Sequence, residues 1–355
     1  MPSIVERCQT IWDYIRQGQT QLPSTVAIPH DHVATEERLG VLFQSDEHYF
    51  QVRLNEMYLT HDRQWFSIYA PMVFIVSEFI YDKREEAVPF VVGPTIMEKF
   101  GQEIPANMVF SDTRVAGLHP YRGGRLSLSV VLYQVQRANY ARNLLRVVEN
   151  ITNVLNVSLP LSNYLKVASV ALDGFETIMQ LGGTVPLIAS RKEFDPDGGD
   201  QFASGYFALI DLPQTQLNPN MLWIRSHQLF SGQSLEQAQP FRRANFVLYS
   251  IIQSPERGDL RTLPFYPLYQ QIKKGAIEPY ADVWQRTKVN MTALAQTMLL
   301  SPDLTNVHAD RLNDQYTTEM EHIHKKAVDR GMVGPAKRQS ALDVKLSKTL
   351  NILDL

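Results

Sequence analysis

One cysteine, Cys8, is present in 355 residues, so no intramolecular disulfide can form. That excludes the disulfide-stapled secreted scaffolds and makes a reducing cytoplasm the expected setting. The familiar chemical signatures are also missing. The chain has no G-x-x-x-x-G-K-[ST] phosphate loop, no G-x-G-x-x-G, no G-x-S-x-G, no H-E-x-x-H and no C-x-x-C. The commonest nucleotide, serine-hydrolase, zincin and thiol-redox readings go with them. No excess of one charge sign is present: 34 basic and 37 acidic side chains leave a formal net charge of −3. A global basic field that would recruit nucleic acid or anionic membrane is therefore absent. The N-terminus is amphipathic with acidic residues rather than an apolar signal core, so no leader is expected.

What is there is apolar and alternating. Apolar residues make up 44% of the chain, ample for a large core. Residues 1–35 read as an amphipathic helix, with Ile4, Val5, Cys8, Ile11, Trp12 and Ile15 on one face, and then a linker rich in Gln, Pro and Thr. Cys8 on that face reads as a buried small hydrophobe. From about Arg38 to Arg137 short runs rich in Val, Ile, Phe and Tyr recur between turn-like residues, and Phe50, Val52 and Leu54 alternate. That is the pattern of antiparallel strands. Residues 121–125 read as a hairpin turn leading into a strand from Leu126.

The centre of the chain, 139–183, reads as two helices. In the first, Tyr140, Leu144, Val147, Val148, Ile151, Val154 and Leu155 share a face. In the second, Leu161 to Leu181, polar residues form one narrow stripe that contains Lys166, Asp173 and Glu176. A helix so apolar around its circumference is expected to be covered by protein on several sides, and its internal charges argue against a membrane span. Asp173 and Glu176 read either as half of a metal or acid–base site or as a solvated stripe. Strands resume after Gly183, and 263–333 turns helical, with Ser301-Pro302 as a helix start. The expected class is α+β: an antiparallel β-rich sheet or sandwich packed around a central helix pair in 36–262, a helical region in 263–333, and a docking tail in 334–355.

Candidate sites are few. His30 and His32 form an H-x-H that on an extended chain would aim both imidazoles at one metal. Arg114, Arg122, Arg125, Arg137, Arg142 and Arg146 face only Asp112 locally, a pattern that suits either a polyanion patch or pairing with carboxylates elsewhere. Glu319 and His322 match half of a carboxylate-bridged di-metal motif whose second half is missing. Asp195–Asp200 resembles an incomplete calcium loop. The tail is apolar at Leu342, Leu346, Leu350, Ile352 and Leu355, and is expected to dock on a neighbouring subunit or on its own domain.

These features point to a non-catalytic cytoplasmic protein that works by protein contact or self-association: an assembly subunit, adaptor or regulated effector. Tyr266, Tyr269 and Tyr280 are its expected surface tyrosines, and no cofactor is expected. The rival readings are a metal-dependent hydrolase using His30 and His32, a membrane-active effector exposing the 161–181 helix, and nucleic-acid or polyanion binding through the arginines. Membrane association is not expected in the resting state.

Overall fold

The computed structural model describes residues 2–18, 23–61, 63–64, 67–93, 107–136, 161–180, 184–195 and 202–333. The chain divides into two compact units, Met1–Asp259 and Leu260–Leu355. The fold is α+β, with a β-rich sandwich in the first unit and helices in the second.

In the first unit, α1 (Ile4–Gly18) is followed by strands β1 (Ser24–Ala27), β2 (Val33–Ala34), β3 (Tyr49–Tyr58), β4 (Arg63–Gln64), β5 (Ser67–Tyr81), β6 (Arg84–Val92), β7 (Asn107–Pro120) and β8 (Leu126–Gln136). Helix α2 (Leu161–Gln180) comes next, then β9 (Thr184–Phe194), β10 (Gly205–Ile210), β11 (Leu222–Arg225), β12 (Gln228–Ser231), β13 (Gln239–Pro240) and β14 (Phe246–Ser254). The first sheet runs β1-β10-β14-β3-β7, all antiparallel. The second is built on β6-β5-β8-β9, also antiparallel, with β4 returning on β5. A small third sheet, β13-β12-β11-β2, has one parallel pair, β2 with β11.

Phe50, Val52 and Leu54 of β3 point between the two large sheets, where they meet Val73 and Ile75 of β5 and Val130 and Leu132 of β8 in one apolar core. The alternation in the sequence selected that face, because successive strand side chains point to opposite sides. The outer face of the second sheet carries Phe74, Val76, Val131 and Tyr133. It is covered by Cys8 and Ile15 of α1 and by Leu172 and Phe175 of α2; the Phe74 and Phe175 rings stack at 3.9 Å. The second of the expected central helices is thus in place, buried along one side. The first, Asn139–Leu155, lies outside the described residues. The outer face of the first sheet is covered by the small sheet, through Leu222, Ile224 and Leu229 against Tyr206, Phe246 and Leu248.

Residues 121–125 are not a hairpin turn. Strand β7 pairs with β3 and β8 pairs with β5 and β9, so the segment carries the chain from the first large sheet to the second. Gly123 and Gly124 take left-handed φ values of 78° and 72°, which glycine adopts at little cost. The turn is pinned to the start of β3: Asp46 N donates to Tyr121 O at 2.7 Å, and Arg122 pairs with the Asp46 carboxylate.

The second unit holds α3 (Tyr266–Ala276), α4 (Ala281–Leu299) and α5 (Asn306–Val333). Ile272, Leu294, Met298, Leu312, Tyr316 and Met320 form its core. Helices α3 and α4 approach closely at Gly275, where an added Cβ would lie 2.4 Å from Thr287 Oγ1.

Candidate functional site

Helix α4 buries one stripe, Thr287, Leu294 and Met298, against its neighbours. The opposite stripe is unusual for a helix facing water. From Val289 to Leu300 the sequence VNMTALAQTMLL contains no charged residue, although Thr292, Ala293, Gln296 and Thr297 are exposed. Val289 is 69% exposed and Leu300 82%. A surface helix ordinarily carries charge on its solvent side. Ile277 and Tyr280, in the turn before α4, are exposed too. Among the described residues, more than half of the strongly exposed large apolar side chains belong to this unit, Val307 on α5 included.

The rest of the unit is tied inward. Tyr269 OH donates to Glu319 Oε2 and Lys273 Nζ to Glu319 Oε1, both at 2.7 Å. Burial alone would raise the Glu319 carboxyl; these two bonds hold it below its ordinary value. The Tyr269 and Tyr316 rings pack at 4.2 Å. Tyr269 is therefore a core residue rather than a surface tyrosine, and Tyr266 packs partly buried beside it. Only Tyr280 of the three expected surface tyrosines is strongly exposed. Glu319 is committed to Tyr269 and Lys273, which leaves the half-motif with His322 without a structural counterpart among the described residues.

No family model, curated protein or solved structure matches the chain.

The histidine pair lands on a 3-10 turn, His30–His32, instead of an extended chain. His32 stacks flat on Trp223 at 3.7 Å and its Nδ1 lies 2.9 Å from Leu222 O. His30 lies over Gly40, whose added Cβ would come within 2.5 Å of the ring. Among the described residues no set of three His, Cys, Asp or Glu side chains is arranged to hold a metal. Of the arginines, Arg122 pairs with Asp46, and Arg125 lies 3.7 Å from Glu85 and 3.6 Å from Glu193. Strand register sets Arg114 opposite Arg53, but its side chain is outside the described residues. So are Arg137, Arg142, Arg146, the 196–200 loop and the tail with Leu342, Leu346, Leu350, Ile352 and Leu355. Asp173 and Glu176 both accept from Arg7, at 2.7 and 3.1 Å, and so fasten α1 to α2. Burial pushes the Cys8 thiol up to about 12, which removes the thiolate a nucleophile needs. Among the described residues no helix is long and apolar enough to cross a membrane.

One polar cluster carried no signal in the sequence reading. On the other side of β3, Gln51, Asn55 and Glu56 are buried, and Glu56 and Asn55 reach the small sheet. Glu56 Oε2 accepts from Leu229 N at 2.6 Å, and its Oε1 lies 3.2 Å from Arg242 Nη1. At the tip of the β11–β12 hairpin, His227 Nδ1 lies 3.4 Å from Asn55 Nδ2 and 3.5 Å from Tyr206 OH. Burial pushes the Tyr206 phenol up to about 12, so it stays protonated there. Arg53 bridges Gln51 and Glu37 at 2.6 and 2.7 Å. The geometry is that of a hydrogen-bonded latch holding the small sheet on the large one. The alternation of β3 marks Gln51 and Asn55 as its polar side; Glu56 joins them only because the ladder to β14 shifts register at Asn55, and nothing local shows that a further sheet covers them.

Proposed function

We propose that the protein is a non-catalytic cytoplasmic interaction protein, an assembly subunit, adaptor or regulated effector, and that the outer face of α4 is its contact surface. The observation that carries this reading is the uncharged, exposed stretch Val289–Leu300. Apolar surface grouped on one element is the mark of a contact site, whereas scattered apolar residues are ordinary. The single cysteine, buried and unreactive, agrees with a reducing compartment.

The test compares native mass spectrometry of the purified full-length chain with that of a Val289→Asp/Leu300→Asp variant. Both substitutions sit on exposed positions, so the unit keeps its fold, to be verified by circular dichroism. The expected result is a multimer or a stoichiometric protein complex for the native chain that the variant loses. A native chain that carries a stoichiometric metal ion or small-molecule adduct and no protein partner would overturn the reading in favour of an enzyme.

A further inference from the structure

We propose that the polar end of the first sheet's outer face, where Glu37, Asn55, Tyr206 and Ser250 come together beneath the β11–β12 tip, binds a small neutral molecule with neighbouring hydroxyl groups, a polyol or a single sugar ring. This goes beyond the contact surface on α4 and does not depend on it.

The floor is a row across three strands. Arg53 of β3 stands opposite Ser250 of β14, and Ser250 opposite Tyr206 of β10. Leu248 and Ala208, two residues along from Ser250 and Tyr206, face the same way and pack under the small sheet. At the polar row the β11–β12 hairpin presents its tip instead, through the 3.4 and 3.5 Å contacts of His227 Nδ1 with Asn55 Nδ2 and Tyr206 OH. Both contacts lie at the outer limit of a hydrogen bond, whereas the base of the hairpin is held by the 2.6 Å bond from Leu229 N to Glu56. Ser226 and His227 take left-handed φ values of 50° and 62°, which residues other than glycine seldom adopt. The tip is thus the part of the hairpin that a ligand lifts most readily.

The polar row is incompletely partnered. Asn55 is 1% exposed, yet its Oδ1 has no hydrogen-bond partner among the described residues; neither has the buried Oε2 of Glu37. Leaving a buried acceptor unmet is costly, and most buried polar side-chain atoms are met. The two groups belong to one cluster. The Asn55 amide is aimed at the hairpin tip, and the Glu37–Arg53 ion pair lies beside the phenol under it: burial raises the Tyr206 pKa, Glu37 adds to the rise and Arg53 opposes it. The cluster reaches solvent along Glu37, Arg53 and His227, all partly exposed.

Two requirements define the ligand. It donates to Asn55 Oδ1 and Glu37 Oε2, and it accepts from the protonated phenol of Tyr206. It also carries no net charge. Glu37 Oε1 already accepts from Arg53 Nη1 at 2.7 Å, so an ion of either sign would meet a like charge in the pair. A hydroxyl donates and accepts through one oxygen, and two on adjacent carbons can serve neighbouring side chains of one row. The tip is two residues wide, which suits a single ring.

The test titrates the full chain with D-glucose, D-ribose and myo-inositol, and with acetamide as a neutral donor that has no hydroxyl. Binding is followed by NMR of the histidine ring C–H signals, with that of His227 identified by its loss in His227→Gly. The expected result is saturable binding of at least one of the three hydroxylated probes, with a shift of the His227 signal. Tyr206→Phe and Glu37→Gln keep the side-chain shapes, and each should weaken that binding by about tenfold, as losing a hydrogen bond in a site built for it does. The His227 shift is read in the native chain, so it decides the matter even where a variant folds poorly. No saturable binding of any hydroxylated probe would overturn the proposal and leave the unmet acceptors to internal water. Binding that leaves the His227 signal in place, or that survives both substitutions unchanged, would also overturn it by putting the ligand elsewhere. Acetamide binding without binding of the hydroxylated probes would overturn the assignment to hydroxyls.

Discussion

Gly275 has no side chain because Thr287 of the facing helix occupies the space where one would go. Thr287 Oγ1 is itself held, donating to Val283 O at 2.8 Å. Alanine at 275 would improve helix propensity by about 1 kcal/mol, but its Cβ would stand 2.4 Å from that hydroxyl oxygen. Overpacking of this kind costs about 1–3 kcal/mol. Gly275→Ala should therefore lower the urea midpoint. With Thr287→Ala the nearest remaining contact is near 3.6 Å, and the same substitution should become stabilising; a double-mutant cycle reads that reversal of sign. His119 makes a second residue-scale prediction. It is fully buried, stacked on Phe79 at 4.8 Å. Burial, with a smaller contribution from the Arg257 charge, lowers its pKa to about 3. The unfolded chain binds a proton near pH 6.5 and the native chain does not until about 3, so stability is lost as pH falls through that window. His119→Phe should remove up to about 1.4 kcal/mol per pH unit of that slope, measured by denaturation at several pH values between 7 and 4.

Helix α2 shows how far one element can be read from its own pattern. The run of apolar residues with a narrow polar stripe predicted a helix covered on several sides; Ala168, Leu172 and Phe175 are buried, but Val170 is 51% exposed, so among the described residues the cover lies along one side. The boundaries, 161–180, agree closely with the predicted span. What the stripe itself does was open: Asp173 and Glu176 turn out to receive Arg7, a residue 166 positions away from Asp173. Such long-range pairing has no local signature. Leu172→Ala should cost about 2–5 kcal/mol, whereas Val170→Ala, half exposed on the same helix, should stay within about 0.5 kcal/mol; chemical denaturation separates the two. Arg7→Ala should cost at most about 1 kcal/mol, since the pairs it breaks are largely at the surface. The 121–125 turn is the opposite case. Two glycines between strands gave the correct local bend, but a bend does not say which strands it joins.

At the scale of the whole first unit, the fold is a stack: helices, large sheet, large sheet, small sheet. Its least visible joint is the buried carboxylate of Glu56, which holds Leu229 N of the small sheet and pairs with Arg242. Arg242 also lies over the Tyr58 ring at 4.8 Å. Glu56→Ala should leave the buried amide and the arginine without their partner and cost about 3–5 kcal/mol. Glu56→Gln, which keeps an acceptor for Leu229, should cost less. Hydrogen exchange at β12 amides should rise in proportion. Equal protection in all three proteins would show that apolar packing alone holds the small sheet.

The sequence by itself determined the α+β class, the strand-helix-strand-helix order, the inward face of β3 and the burial of Cys8 and α2. Each of these follows from periodicity or composition acting over a few residues, where backbone geometry dictates which side chains share a face. Only the tertiary structure decided that the polar side of β3 is also covered, that Tyr269 belongs to a core, and that His30 and His32 sit on a tight turn with His32 against Trp223. It alone showed that Arg122 meets Asp46 and that α4 keeps its uncharged side in water. Those outcomes depend on which distant segments come together, and a strand or helix presents the same pattern to solvent, to a neighbouring sheet or to a partner.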